Sequence, residues 1–312
     1  MLSRLGAWVK EFRLVFLLFA VIPMATGSIV AYNYYPGQFS VSYFILSLIA
    51  IVLLHAGTIA FNDFFDYWTG ADRINKERTP FTGGTGLLID GTLKPAHVLV
   101  AGSLCFLLCI TIGMYIVLTR SPIVFLFGVV GVGLGAFYTA PPLKLAYRLL
   151  GEITWFLSFP LTALGALFTQ APPASLAALG GMADVVVTTV VVMLPAAFLG
   201  TAGFFVLEFP DYNADRVAKK LGVVVLLGKR KTISMYVLTC VLAYLSIIAA
   251  VAFQYLPVSG LTALITIPLF GWVWTGLKKF LETPVRLVPY IVVGAGAIYL
   301  SCAIVMVALF FG

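Results

Sequence analysis

Residues 41–72 read VSYFILSLIAIVLLHAGTIAFNDFFDYWTGAD, an apolar run that ends in three aspartates, Asp63, Asp66 and Asp72. The run 41–61 contains no Asp, Glu, Lys or Arg. It matches the roughly 20 residues that a ~30 Å hydrocarbon core requires. Similar runs recur near 14–34, 98–118, 123–140, 153–168, 185–207, 233–255, 258–277 and 287–311. Of the 312 residues, 62% are hydrophobic and 10% are charged, against about 25% charged in a soluble domain. The mean hydropathy is +1.08. The expected fold is all-α, a polytopic membrane protein with about nine transmembrane helices in one bundle. The runs are continuous rather than alternating, which argues against a β-barrel. The start resembles a signal peptide, but its apolar stretch is too long and reads as an uncleaved first span. The stretch from Gln170 to Asp184 is expected partly to re-enter the membrane.

Basic residues set the orientation. With the N-terminus in the cytosol and alternating spans, every one of the nineteen except Arg120 falls on the cytosolic side. The C-terminus then lies on the opposite side. The net charge of +7 is explained by topology and needs no nucleic-acid partner. Of the twelve acidic residues only Asp184 falls outside, and it reads as a loop charge. The others concentrate after the second span and after the sixth. That spacing suggests one domain over 1–312, with spans 1–4 duplicated as 5–8 and a ninth helix added.

The first cluster is Asn62-Asp63-Phe64-Phe65-Asp66, followed by Gly70-Ala71-Asp72. If the second helix runs past the apolar core, Asn62, Asp63 and Asp66 share a face. Gly70 would then end that helix and let Asp72 turn back. The second cluster is Glu208-Phe209-Pro210-Asp211-Tyr212-Asn213-Ala214-Asp215-Arg216. Its acids, Glu208, Asp211 and Asp215, are expected on one helical stripe. Carboxylates this close repel one another, and a cation relieves the repulsion. Mg²⁺ suits one or two carboxylates from each side with phosphate oxygens and water. Arg73, Lys76, Arg78, Lys144, Arg148, Arg216 and Lys219 are candidates to meet phosphate oxygens. The loop Arg78-Thr79-Pro80-Phe81-Thr82-Gly83-Gly84-Thr85-Gly86 reads either as a phosphate wrap or as a plain turn. Solvated helix ends with salt bridges are the alternative for the acids.

Other features read as structural. Cys105, Cys109, Cys240 and Cys302 lie in apolar runs with no CxxC pair, and behave as small buried residues. With only His55 and His97, a His-rich metal site is excluded. His55 reads as a hydrogen-bonded core residue or one that points into a cavity. The Gly128, Gly131, Gly133 and Gly135 stripe is expected to pack helices. Glu152 opens the fifth helix, where a carboxylate suits the dipole. Tyr138 reads as an interfacial anchor or as a group facing substrate.

These residues resemble the UbiA superfamily of intramembrane prenyltransferases. The segment Asn62 to Asp72 matches its first Asp-rich motif, and Asp211 with Asp215 matches its second. The resemblance covers most of the chain and is closest to the menaquinone branch, the 1,4-dihydroxy-2-naphthoate polyprenyltransferases. The features behind that are Asn-Asp-Phe-Phe-Asp, Gly151-Glu152, and Glu208 to Asp215 followed by Leu227-Gly228-Lys229-Arg230. The Tyr138-Thr139-Ala140-Pro141-Pro142-Leu143-Lys144 loop looks more like chlorophyll synthases. The resemblance implies Mg²⁺-dependent transfer of a polyprenyl group from its diphosphate to an aromatic acceptor, in the cell inner membrane. Dihydroxynaphthoate is the first expectation; 4-hydroxybenzoate, homogentisate and chlorophyllide are the others. It implies Asp63, Asp66, Asp72, Asp211 and Asp215 as catalytic metal ligands, assisted by Asn62. Arg73, Lys76, Arg78, Lys144 and Arg216 would hold the diphosphate, and Glu152 and Glu208 would face substrate. Tyr138, Phe64 and Tyr67 would face an allylic cation. A cation-coupled transporter is the reading of another class, and it predicts charges near the bilayer midplane.

Overall fold

The computed structural model describes residues 4–173 and 177–312, whose regular elements are all helical. A short amphipathic helix, α1 (Arg4–Glu11), bends by 51° into α2 (Leu18–Tyr34). Helix α3 (Val41–Thr69) does run on past its apolar core. Gly70, at φ 87°, ends it in the left-handed region that glycine enters without a Cβ penalty. A single turn, α4 (Ala71–Ile74), follows. The bundle continues through α5 (Pro95–Thr119), α6 (Val124–Ala136), α7 (Gly151–Gln170) and α8 (Ala183–Glu208). Two short helices, α9 (Tyr212–Val217) and α10 (Val223–Leu227), precede α11 (Lys229–Ala252). Last come α12 (Ile267–Lys279) and α13 (Val288–Phe311).

Seven helices among the described residues are long and apolar enough to cross a membrane, or eight if the bent pair is one span; α6 is shorter. All nine expected segments correspond to helix, with changed ends. The fourth stops at Ala136 rather than 140, because Pro141 and Pro142 supply no N–H and push the preceding residue out of the α region. The eighth begins as a 3-10 stretch, Val258–Thr266, before α12. Asp184 sits in the first turn of α8 rather than in a loop, where the helix dipole favours it. The stretch expected to re-enter before α8 holds a 3-10 turn, Ala177–Met182, that leads into the helix. Residues 174–176 of that stretch lie outside the described residues.

The two halves of the bundle pack differently. Helices α2, α7, α8, α11 and α13 supply one continuous core that includes Phe159, Leu167, Met193, Leu199, Ile247 and Ile298. Helix α3 contributes nothing to it. Only 11% of the apolar window of α3 is buried; the helix packs on α5 and faces a hollow. Helices α2 and α7 touch at Gly27, where an added Cβ would lie 2.0 Å from the backbone oxygen of Ala163.

That contact gives a stability test. Gly27→Ala must separate two backbones, an overpacking cost of about 1–3 kcal/mol. Its melting temperature in detergent is expected to fall clearly. Gly113→Ala, where an added Cβ meets nothing within 4 Å, should stay within about 1 kcal/mol of the parent. Equal melting temperatures for the two variants would contradict this packing.

Candidate active site

The hollow side is a cavity of about 710 Å³, lined from α3, α5, α6 and α7. On α3 its lining runs from Ser47 to Asp66, which at 1.5 Å per residue is about 28 Å. Met114, Phe125 and Val129 line it and are also exposed, so it opens toward lipid between α5 and α6. The glycines of α6 line this cavity and do not form a helix-packing stripe as expected. An added Cβ at Gly128 or Gly133 would meet nothing within 4 Å, and only Gly135 is tight, against Thr58. His55 also faces the cavity, with Nε2 buried and without a hydrogen-bond partner; it is not the satisfied core histidine.

Both acidic clusters meet at one end of this cavity. Asp66, Asp72, Asp211 and Asp215 line it, with Asn62 beside them. Asp63, although on the same helix, does not. It is 1% exposed, and it accepts hydrogen bonds from Arg13 Nη2 at 2.6 Å and from the Thr85 N–H at 3.0 Å. Asp66 accepts from Lys220 Nζ at 2.9 Å and from the Tyr147 hydroxyl at 2.7 Å. The second cluster is not the single helical stripe expected. Helix α8 ends at Glu208, Pro210 lacks the N–H that would continue it, and Asp211 sits at the cap of α9. The break turns Asp211 toward the first cluster, where it accepts from Asn75 at 2.8 Å and from the Gly83 N–H at 3.2 Å.

The glycine loop is a clamp between the clusters. Its N–H groups at Gly83 and Thr85 are given to Asp211 and Asp63, so those two do not wrap a phosphate. Arg78 holds the loop from inside, through the backbone oxygens of Gly83 and Asp72. At Gly84 an added Cβ would lie 2.2 Å from Asp72 Oδ2.

The cations of the site are not the ones the sequence suggested. Arg73, Lys76, Lys144 and Arg216 do not line the cavity. Arg73 lies over the Tyr67 ring and Lys144 over Tyr147. Arg13 and Lys220 line it instead. Lys220 is 2.9 Å from Asp66 and 3.9 Å from Asp215. The signals that point to them are weak: a basic residue ending an amphipathic helix, and a lysine five residues after the second motif. Glu11, fully buried against Thr85, was also missed. Glu152 sits in the first turn of α7, as expected, and its Oε1 accepts from the Val223 N–H.

Charge is in surplus at this end. Burial, with Asp66 and Asp63 nearby, pushes the Asp72 carboxyl up to about 8. Burial pushes Asp215 up to about 7 against the Lys220 ammonium, and it raises Asp211 too. Burial alone would lower Lys220, but Asp215 and Asp66 hold it well above its ordinary value. Hard oxygen donors in such surplus fit Mg²⁺. Among the described residues no three His, Cys, Asp or Glu side chains close around one point. An ion here would take one or two carboxylates and complete its shell from phosphate and water, as Mg²⁺ does.

The raised carboxyls predict a pH dependence. A carboxyl whose folded pKa exceeds its ordinary 3.8 binds more protons in the folded state, so stability falls as pH rises between those values. With chelator present, the melting temperature in detergent should fall from about pH 5 to about pH 8. Added Mg²⁺ should raise it more at the upper pH than at the lower. A Mg²⁺ effect equal at both would remove the carboxylates as its site.

Comparison with known proteins agrees with this geometry. The UbiA prenyltransferase family profile matches residues 20–287. The 1,4-dihydroxy-2-naphthoate octaprenyltransferase of Bacillus subtilis (strain 168) is 22% identical over 231 residues, 74% of this chain and 68% of that protein. The fold is shared with a UbiA homologue from Archaeoglobus fulgidus bound to DMAPP and Mg²⁺, at TM-score 0.60 and 14% identity, covering 96% of this chain and 98% of that one. It is shared with one from Aeropyrum pernix K1, at TM-score 0.66 and 17% identity, covering 91% and 97%. A digeranylgeranylglyceryl phosphate synthase structure matches at TM-score 0.61 and 17% identity, covering 99% of both chains. An all-helical bundle with paired acidic clusters at one end of an apolar cavity, matched over most of its length by that profile, belongs to the UbiA prenyltransferase family.

Proposed function

We propose that this membrane prenyltransferase moves a polyprenyl group from its diphosphate to an aromatic acceptor with Mg²⁺, and that the acceptor is 1,4-dihydroxy-2-naphthoate. The observation that carries the reading is one cavity with two ends: four carboxylates and two cations at its head, and a mainly apolar shaft behind them that runs back along α3 from Ile59 to Ser47, about 18 Å. Such a shaft suits an isoprenoid chain and the head suits a diphosphate. The Bacillus subtilis relative carries the acceptor in its name, and the Archaeoglobus fulgidus homologue was solved with a prenyl diphosphate and Mg²⁺. The cavity shaft carries no acid or base other than His55, which disfavours a cation-coupled transporter.

In this reading Asp66, Asp72, Asp211 and Asp215 hold Mg²⁺, with Asn62 assisting. Bound Mg²⁺ supplies charge stabilisation to the departing diphosphate. Arg13 and Lys220 meet the phosphate oxygens. Asp63 acts as a positioning residue that fixes Arg13, and Arg78 positions the glycine loop. The allylic C1–O bond breaks with its electron pair going to the diphosphate. A ring carbon's π pair forms the new bond, and the ring loses a proton or carbon dioxide. Tyr138 and the apolar walls keep water from the cation. The head faces the cytosol of an inner-membrane protein, and the whole chain acts as one domain.

The test is Mg²⁺-dependent prenylation by purified protein with an acceptor panel of dihydroxynaphthoate, 4-hydroxybenzoate, homogentisate and chlorophyllide. Dihydroxynaphthoate should be used best. Asp66→Ala and Asp211→Ala should each lower kcat/KM by about 100-fold or more. Arg73→Ala and Lys76→Ala, outside the cavity, should stay within about threefold of the parent, a loss worth under 1 kcal/mol. Intact activity in both aspartate variants would sink the reading.

A further inference from the structure

A second pair of acids lies beside the cavity, Glu152 buried and Glu208 half-buried, and among the described residues neither forms an ion pair. Glu208 ends α8, and Glu152 sits on the first turn of α7. They meet at Gly222, where an added Cβ would lie 2.8 Å from Glu208 Oε1 and 3.2 Å from Glu152 Oε1. Glu152 is 5% exposed, and its Oε1 takes the Val223 N–H. Both Oε2 atoms are buried without a hydrogen-bond partner. Glu208 lines the cavity. Around it the wall is aromatic: Trp155 and Phe204 stack with centroids 5.1 Å apart and planes 21° apart, and both line the cavity. Tyr138 lines it as well, and its charged neighbours are Lys220, Glu208, Glu152 and Asp66. The recess therefore adjoins the carboxylate head, where the C1 carbon of a donor would arrive.

A buried carboxylate without a partner is costly, and a ligand that partners it recovers that cost. Two carboxyls this close keep one proton between them; the pair still offers acceptor oxygens and, with its remaining charge, repels an anion. The occupant must present a hydroxyl here and turn any carboxylate away. An aromatic wall beside that point favours a flat ring.

Resting on the prenyl-transfer reading, we propose that Glu208, backed by Glu152 across Gly222, binds the ring hydroxyl of the aromatic acceptor. The hydrogen bond to the hydroxyl orients the ring. It also pushes electron density into the ring carbon that attacks. The site thereby selects phenolic acceptors over O-alkylated rings and over aliphatic alcohols.

The test uses the full chain in detergent with Mg²⁺, a short prenyl diphosphate, and three acceptors. These are dihydroxynaphthoate, its O-methyl ethers, and a glyceryl ether phosphate bearing a free alcohol. The parent enzyme should prefer the free naphthol over the ethers by about 100-fold in kcat/KM, since a site built around a hydroxyl rejects analogues that lack it. Glu208→Leu removes the carboxylate, and Gly222→Ala displaces it without removing charge. Each should raise the acceptor KM at least about tenfold and cut the hydroxyl preference, with the donor KM within about twofold. A purely structural role would not split the two KM values in this way. Use of the methyl ethers as well as the naphthol, or better use of the glyceryl alcohol, overturns the inference with the parent enzyme alone. Failure of the parent to release diphosphate with any acceptor instead removes the reading beneath it.

Discussion

Lys220 Nζ lies 2.9 Å from Asp66 and 3.9 Å from Asp215, and that placement ties the end of α3 to the loop after α8. Without a cation between them, buried carboxylates from opposite sides of the bundle would drive each other apart. Arg13 does the same work one step away, joining the N-terminal segment to Asp63. The backbone is shaped to deliver both cations. Arg13 adopts φ 43° and Lys219, next to Lys220, φ 57°, a region that costs a non-glycine residue of order 1 kcal/mol. Strain at both points is tolerated because the ion pairs they enable are largely withdrawn from water, where each is worth more than at a surface.

The head is only useful because half of the bundle is hollow. Solid packing among α2, α7, α8, α11 and α13 frees α3, α5 and α6 from holding the fold together. Those three can then present small residues to a cavity. In α6 the glycines leave room where side chains would stand, and in α5 Gly113 does likewise. Small residues in an apolar helix serve close helix packing or an open channel, and the two uses have the same sequence. The identity of the neighbour decides between them, and that is a tertiary fact.

The same limit explains what the sequence made legible and what it hid. The apolar runs and the acids at their ends were legible, because span length and charge placement are local properties. Asn62, Asp63 and Asp66 were expected on one face of the helix, but Asp63 turns to Arg13 and leaves the cavity, since three residues advance a helix by 300° and not by a full turn. The second motif was misjudged as one stripe because Pro210 ends α8 there. Which cations line the cavity was hidden for a further reason. A basic residue near an acidic motif looks equivalent to its neighbours in sequence, while only Arg13 and Lys220 reach the cavity wall. Arg73 and Lys144, nearer in sequence to the motif or the tyrosine loop, rest on aromatic rings instead.

The glycine loop shows how the head and its cover are one unit. Asp211 faces the cavity with one set of interactions and holds the Gly83 N–H with the other. Asp63 likewise joins Arg13 to the Thr85 N–H. A carboxylate accepts a backbone N–H more strongly when ionised, so the charge state of Asp211, whose carboxyl burial raises, sets how firmly the Gly83 end of the loop is held. The Gly84 position, too tight for any Cβ, keeps that cover in contact with the Asp72 carboxylate. A cation at the head would keep Asp211 ionised, so the Gly83 end of the loop would be fastened by a carboxylate that faces the ion, while Asp63 holds the Thr85 end from outside the cavity. The head is lined on this side by a segment whose own anchors are the acids beneath it, and this coupling follows from hydrogen bonds rather than from any separate hinge.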